Sequence, residues 1–163
     1  MDKERLVARL LKCIDKDEDS LRIYRLSEPR RRHLEVYGLD HHTDRLLLNR
    51  ASFDLGIPFV YGAINEWLGQ LSLFNPPQTA CLACLMPEEL QNPEVTPVFG
   101  ALPGVIGSLQ ATLALRYLMT GENPVSNALL ILRGDTITFE TVTFEKRPGC
   151  GVCGKTVPSG PRR

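Results

Sequence analysis

The chain has 163 residues, with 19 Lys and Arg against 19 Asp and Glu and an apolar share of 43%. Balanced charge gives no general attraction to nucleic acid or anionic lipid, and that apolar share is too high for a disordered chain. No apolar run reaches the roughly 18 residues of a membrane span, and the opening MDKERLVARL is charged rather than signal-like; both point to a single-domain cytoplasmic protein with no nucleic-acid or membrane partner.

Residues 2–16 read as an amphipathic helix, because Leu6, Leu10 and Ile14 step by four with Val7 and Leu11 beside them. Residues 21–26 read as a short strand, and Arg30, Arg31 and Arg32 follow Pro29 in a loop. A second strand over 34–39 ends in Asp40-His41-His42-Thr43. Thr43 is placed to cap a helix over 44–55 that turns Leu47, Leu48 and Ala51 inward and closes at Gly56. Residues 57–64 and 68–74 are apolar strands, and the short link Asn65-Glu66-Trp67 makes them an antiparallel pair. Pro76, Pro77, Pro87, Pro93 and Pro97 exclude a long regular element between 75 and 100.

A helix over 103–120 stops at Gly121 and carries Gly104 and Gly107 in its first turns. Glycines there permit close approach of a neighbouring element or a ligand. Residues 128–133 and 136–144 form a hairpin about Gly134-Asp135, and 155–163 read as a flexible tail to a domain over 1–154. The expected fold class is α/β, with a parallel first half and a more antiparallel second half. Where the first strands of such a parallel sheet are missing, an open edge and a bare apolar helix face are left, so an oligomer is expected.

The five cysteines are Cys13 and two CxxC pairs, Cys81/Cys84 and Cys150/Cys153. Each pair can present two thiolates to one ion. Four soft ligands with no water position make a closed structural zinc site, which would pin the proline-rich loop to the end of the chain. A redox dithiol is the rival reading, but such a motif normally opens a helix, and neither pair is expected to here. Four unrelated thiols are the third.

Residues 149–154 also spell GxGxxG, and 149–156 spell GxxxxGKT. Phosphate loops of either kind need a strand before and a helix after. Pro158, Gly160 and Pro161 exclude that helix. Asp40, at the carboxyl end of a strand, could hold Mg²⁺ or merely satisfy nearby backbone N–H groups. Arg45 is placed to meet a carboxylate or phosphate. His41 and His42 diverge as neighbours and make a poor chelate.

Taken together, Asp40-x4-Arg45-x3-Asn49, GIPFVYGAINEWLGQLSLFNP (56–76), CLACLMP (81–87), GALPGVIGSLQATLALRYLMTG (100–121), ALLILRGDTITFETV (128–142) and RPGCGVCG (147–154) resemble the ThiF/MoeB/HesA family, bacterial relatives of ubiquitin-activating enzymes. The resemblance implies a partial Rossmann-like mixed sheet with helices packed on it and a four-cysteine zinc site. It implies a dimer that binds ATP and Mg²⁺, adenylates the C-terminal glycine carboxylate of a small ubiquitin-like sulfur carrier, and releases pyrophosphate. Cys81, Cys84, Cys150 and Cys153 would then be the zinc ligands. Asp40 would take the Mg²⁺ and adenylation position, and Arg45 and Asn49 would be the cofactor-binding motif residues of the next helix.

The chain departs from the family pattern in three ways. It starts after the family's glycine-rich ATP loop, reads Leu39-Asp40-His41 where Thr-Asp-Asn is usual, and has Pro93 where many members carry a cysteine. The expectation is therefore the C-terminal two-thirds of an adenylating domain, unable to bind ATP alone and acting by dimerisation or carrier binding. The alternatives are an active adenylyltransferase completed by a partner chain and an inactive gene fragment.

Overall fold

The computed structural model describes residues 34–39, 41–86 and 97–154. The expected helix at 2–16, the strand at 21–26, Cys13, Arg30 to Arg32, Asp40 and the tail from 155 lie outside the described residues. Five strands form one sheet in chain order: β1 (Glu35–Gly38), β2 (Phe59–Asn65), β3 (Leu68–Phe74), β4 (Ala128–Arg133) and β5 (Thr138–Thr143). Three helices accompany them: α1 (His42–Leu55), α2 (Leu82–Leu85) and α3 (Ala101–Thr120). β1 is parallel to β2, and every later pairing is antiparallel. A parallel pair needs a crossover, and α1 supplies it. The mixed α/β sheet expected from the sequence is thus present.

β2 and β3 are apolar along their length because both of their faces are covered. Side chains alternate between the faces. Val60, Leu71 and Leu73 meet Leu113, Ala114 and Tyr117 of α3 on one side. Phe59, Tyr61 and Phe74, with Leu129 of β4, meet Leu82 and the partly buried Leu85 and Met86 on the other. The Phe59 and Phe74 rings stack there at 5.0 Å.

α3 sits close to the sheet because the strands, not the helix, carry the glycines that matter. A Cβ on Gly62 would lie 2.5 Å from the Gln110 amide, and one on Gly69 would lie 2.5 Å from Ile106. Gly104 and Gly107 are exposed and have nothing within 4 Å of where a Cβ would be, so the close approach expected at these helix glycines occurs at the strand glycines instead. Gln110 uses its position to donate from Nε2 to the Tyr37 carbonyl at 2.9 Å, which ties α3 to β1.

α1 departs from expectation at its start. It begins at His42 with His41 as N-cap and no side-chain cap bond, so Thr43 lies inside the helix rather than capping it. The entry is held from within: Arg45 donates through Nε and Nη2 to the Leu39 carbonyl at 2.8 and 2.5 Å. Leu47 is 41% exposed, while Leu48, Asn49, Ala51 and Ser52 form the buried stripe. The expected inward turn of Leu47 fails because that stripe is centred on Leu48, Asn49 and Ser52. Gly56 and Gly121 close α1 and α3 in the left-handed region, as their placement in the sequence implies. No helix among the described residues is long and apolar enough to cross a membrane.

Candidate metal centre

The two CxxC segments form two matching turns. Cys81 is the N-cap residue of α2, and its carbonyl accepts the Cys84 N–H at 2.9 Å. The expectation that neither pair opens a helix is therefore corrected: the first opens a single turn. In the second segment the Cys150 carbonyl accepts the Gly154 N–H at 3.0 Å, and the Cys150 N–H donates to the Arg147 carbonyl at 3.1 Å. A Cβ at residue 154 would lie 2.6 and 2.7 Å from the Cys150 backbone nitrogen and oxygen, so only glycine fits. Gly149 leads in at φ 74°. Gly149 and Gly154, the outer glycines of the GxGxxG spelling, are thus turn chemistry around Cys150.

These turns bring all four sulfurs within 4.8 Å of one another. Cys81 Sγ lies 3.9 Å from Cys84 Sγ and 3.7 Å from Cys150 Sγ, and Cys84 Sγ lies 3.2 Å from Cys153 Sγ. A tetrahedral ion with bonds to sulfur of about 2.3 Å requires sulfur separations of about 3.8 Å, which this cluster approaches. A disulfide needs about 2.05 Å, and all four cysteines are free. The donor set fits a soft, four-coordinate ion. Cys81 and Cys150 are buried, with Ala83, Val152 and the partly buried Leu46 and Phe53 around them.

The thiols are held unequally. Burial raises the Cys81 thiol, and the Asn49 side chain is the largest opposing influence. Burial raises Cys153 as well, with the Cys84 and Cys81 sulfurs adding to the rise. At Cys150 burial also works upward, but backbone contacts from Cys153 and Val152 and the neighbouring Cys81 and Cys84 sulfurs outweigh it and bring the thiol down to about 6. One sulfur is thus ready as a thiolate near neutral pH, while two hold their protons until a cation displaces them. The Arg147 backbone N–H also points at Cys84 Sγ at 3.3 Å.

Arg45 and Asn49, also singled out in the sequence, do different work. Arg45 clamps Leu39 and lies 5.7 Å over the Tyr61 ring. Asn49 is 1% exposed, and its Oδ1 accepts the Leu82 N–H at 2.8 Å, directly after Cys81. The sequence reading missed that Asn49 faces the cysteine turn. The available signal was its helical spacing: four residues after Arg45 it falls on the same side of α1, but only the tertiary pairing says what that side meets.

The ThiF family model matches residues 30–152, a span that takes in all five strands and ends one residue before Cys153. The chain belongs to the ThiF family. Among its relatives, this ThiF-family chain is 37% identical over 125 residues to the SAMP-activating enzyme E1 of Haloferax volcanii, covering 74% of this chain and 46% of that protein. It is 36% identical over 132 residues to the sulfur carrier protein adenylyltransferase of Thermus thermophilus, covering 74% and 48%. The chain therefore spans just under half the length of these relatives. In fold it is similar to E. coli MccB in its crystal structure with ATP, at a TM-score of 0.64 and 20% identity over 74% of this chain and 39% of that one.

Proposed function

We propose that this chain is the metal-clamped part of a ThiF-type domain that activates a ubiquitin-like sulfur carrier, that it does not hold ATP by itself, and that it acts by dimerising or by binding the carrier. The observation that carries this reading is the placement of Arg45 and Asn49. Both motif residues expected at the nucleotide are engaged inside the fold, one on the Leu39 carbonyl and the other on the Leu82 N–H. The glycine-rich run with the phosphate-loop spelling closes around Cys150 instead. Zinc is the ion we assign to Cys81, Cys84, Cys150 and Cys153. Its contribution is a structural tie between the segment at 81–84 and the segment at 150–153, since four thiolates leave no position for substrate.

Binding surfaces are available for the proposed association. Val105, Leu115 and Met119 are exposed on α3, and Ile137, Phe139 and Val142 are exposed on and beside β5. Exposed apolar groups on a helix face and a sheet edge support contact with another chain. Calorimetric titration with ATP and Mg²⁺ tests the reading. No saturable binding in the micromolar range is expected, and micromolar affinity would overturn it.

A second reading, catalysis after completion by a partner chain, is favoured by one observation. Arg45 fixes the Leu39 carbonyl at the carboxyl end of the parallel strand β1, where ligands of α/β sheets bind, and Asp40 is the next residue. In that assembly Asp40 holds Mg²⁺ and the partner holds the phosphates. The carrier's glycine carboxylate attacks the α-phosphate, forms the acyl-adenylate and expels pyrophosphate. ATP–pyrophosphate exchange measured with carrier and partner present tests it. Exchange that disappears in Asp40→Asn supports this reading, and exchange that is absent or survives the substitution removes it.

A further inference from the structure

Asn49 presents two polar ends, and only one of them is satisfied. Its Oδ1 accepts the Leu82 N–H at 2.8 Å, which sets the orientation of the amide because an N–H can be met only by the oxygen end. Nδ2 is thereby turned elsewhere, buried and without a hydrogen-bond partner. A buried amide N–H without an acceptor is costly, and native folds rarely leave one. Cys81 is the residue before Leu82, and Leu46 and Phe53 of α1 pack against its cluster, which places the Asn49 amide beside the Cys81 turn.

We infer that Asn49 is a positioning residue for the metal centre, donating from Nδ2 to the Cys81 sulfur when that sulfur is a metal-bound thiolate. The inference rests on the reading of the four cysteines as a metal site. A protonated thiol is a weak acceptor, whereas a thiolate carries charge that strengthens any N–H bond made to it. Metal binding therefore does two things at once at this position. It removes the proton from Cys81, and it turns the one buried unpaired side-chain amide among the described residues into a bonded one.

The arrangement also explains why α1 and the first CxxC turn stay in register. One side chain holds the backbone of α2 with its oxygen and the first ligand with its nitrogen. Partners of this kind around ligating residues set ligand orientation and affinity. Cys84 has a comparable donor in the Arg147 backbone N–H, but that donor comes from the segment carrying the second CxxC pair. Asn49 ties α1 to the first CxxC turn, as Arg50 ties it to the second by donating from Nη1 to the Gly151 carbonyl at 3.4 Å. Its motif position, four residues after Arg45, is accounted for by the metal centre without a nucleotide.

Two measurements test the inference. The first uses Asn49→Asp, which keeps an oxygen for the Leu82 N–H, removes the donor and sets negative charge beside the thiolate. Zinc affinity by chelator competition is expected to fall about 10- to 100-fold. The sulfur-to-cobalt charge-transfer band of the Co²⁺-loaded protein is expected to shift. The second needs no substitution and so does not depend on a variant folding. In ¹⁵N-labelled protein loaded with ¹¹³Cd, the Asn49 side-chain amide proton should show scalar coupling to cadmium across the N–H···S bond. If the unsubstituted chain binds none of these metals, the metal reading itself fails and takes the inference with it. If it binds them, but Asn49→Asp keeps its affinity within twofold and no amide–cadmium coupling is seen, the metal site stands and the role given to Asn49 falls.

Discussion

The two faces of the sheet are covered in different ways. One is covered by α3, a 20-residue helix whose buried positions Leu102, Ile106, Gln110, Leu113, Ala114 and Tyr117 recur every three or four residues where they meet the sheet. The other is covered by the single turn of α2 and the loop around it, fastened by specific bonds. Ala80 donates to Asn127 Oδ1 at 2.7 Å, Leu82 donates to Asn49 Oδ1, and the four cysteines close the far end. A long helix satisfies its own backbone and needs only an apolar stripe. An irregular cover must find a partner for each N–H and C=O separately. α3 holds its face chiefly by burial, with the Gln110 bond to the Tyr37 carbonyl beside it, whereas the opposite cover depends on a small number of fixed points, the four-cysteine cluster chief among them.

The largest effect should follow from removing that centre. Apparent binding free energies of structural zinc are on the order of 10 kcal/mol, so Cys84→Ser or exhaustive chelation should strongly destabilise the second face. Hydrogen exchange is the measurement: amides at 82–86 should lose protection well before those at 106–117. Equal loss on both faces would show that the sheet and its two covers unfold as one unit. The same centre should respond to pH. Loading must displace the protons that burial keeps on Cys81 and Cys153, whereas Cys150, at about 6, is already a thiolate at neutral pH and carries a proton to displace only in more acidic solution. Metal binding therefore tightens as pH rises, and calorimetry in buffers of different ionisation enthalpy should detect the released protons.

Next in size is damage to the helix-covered face. Leu113→Ala should cost about 2–5 kcal/mol in urea unfolding, with metal affinity within twofold of the unsubstituted chain. A parallel loss of metal affinity would couple the two covers through the sheet. Gly69→Ala should cost about 1–3 kcal/mol in the same assay, because its Cβ must push aside Ile106, which would lie 2.5 Å away. The smallest effect belongs to the exposed pair of Arg116 and Glu122, 2.8 Å apart, where Arg116→Ala should change stability by less than about 1 kcal/mol.

Much of the helix-covered face was legible from local pattern. α3, its stop at Gly121 and the β2–β3 and β4–β5 pairings all follow from periodicity and turn residues, which act over a few positions. The gathering of the four cysteines was legible too, because only a limited set of chemistries uses two CxxC pairs. What escaped was set by partners distant in sequence. Thr43 has the chemistry of a cap, but Arg45 reaches back to Leu39 and the helix starts two residues earlier than that cap implies. Gly104 and Gly107 invite a close-approach reading, yet the contacts that require glycine are at Gly62 and Gly69, across from Gln110 and Ile106. β5 alternates plausibly as a strand, but its exposure on all six residues reflects having no layer above or below it among the described residues.

Periodicity, turn chemistry and cysteine spacing were enough to point to an α/β chain with two CxxC pairs meeting in one cluster and a ThiF-like pattern, because those signals are written within short stretches of sequence. Which side of α1 meets the cysteine turn, where Asn49 aims its amide, and which glycines admit the helix were decided only in three dimensions. Each depends on atoms from segments tens of residues apart arriving within hydrogen-bond or van der Waals distance, and no local pattern encodes that meeting.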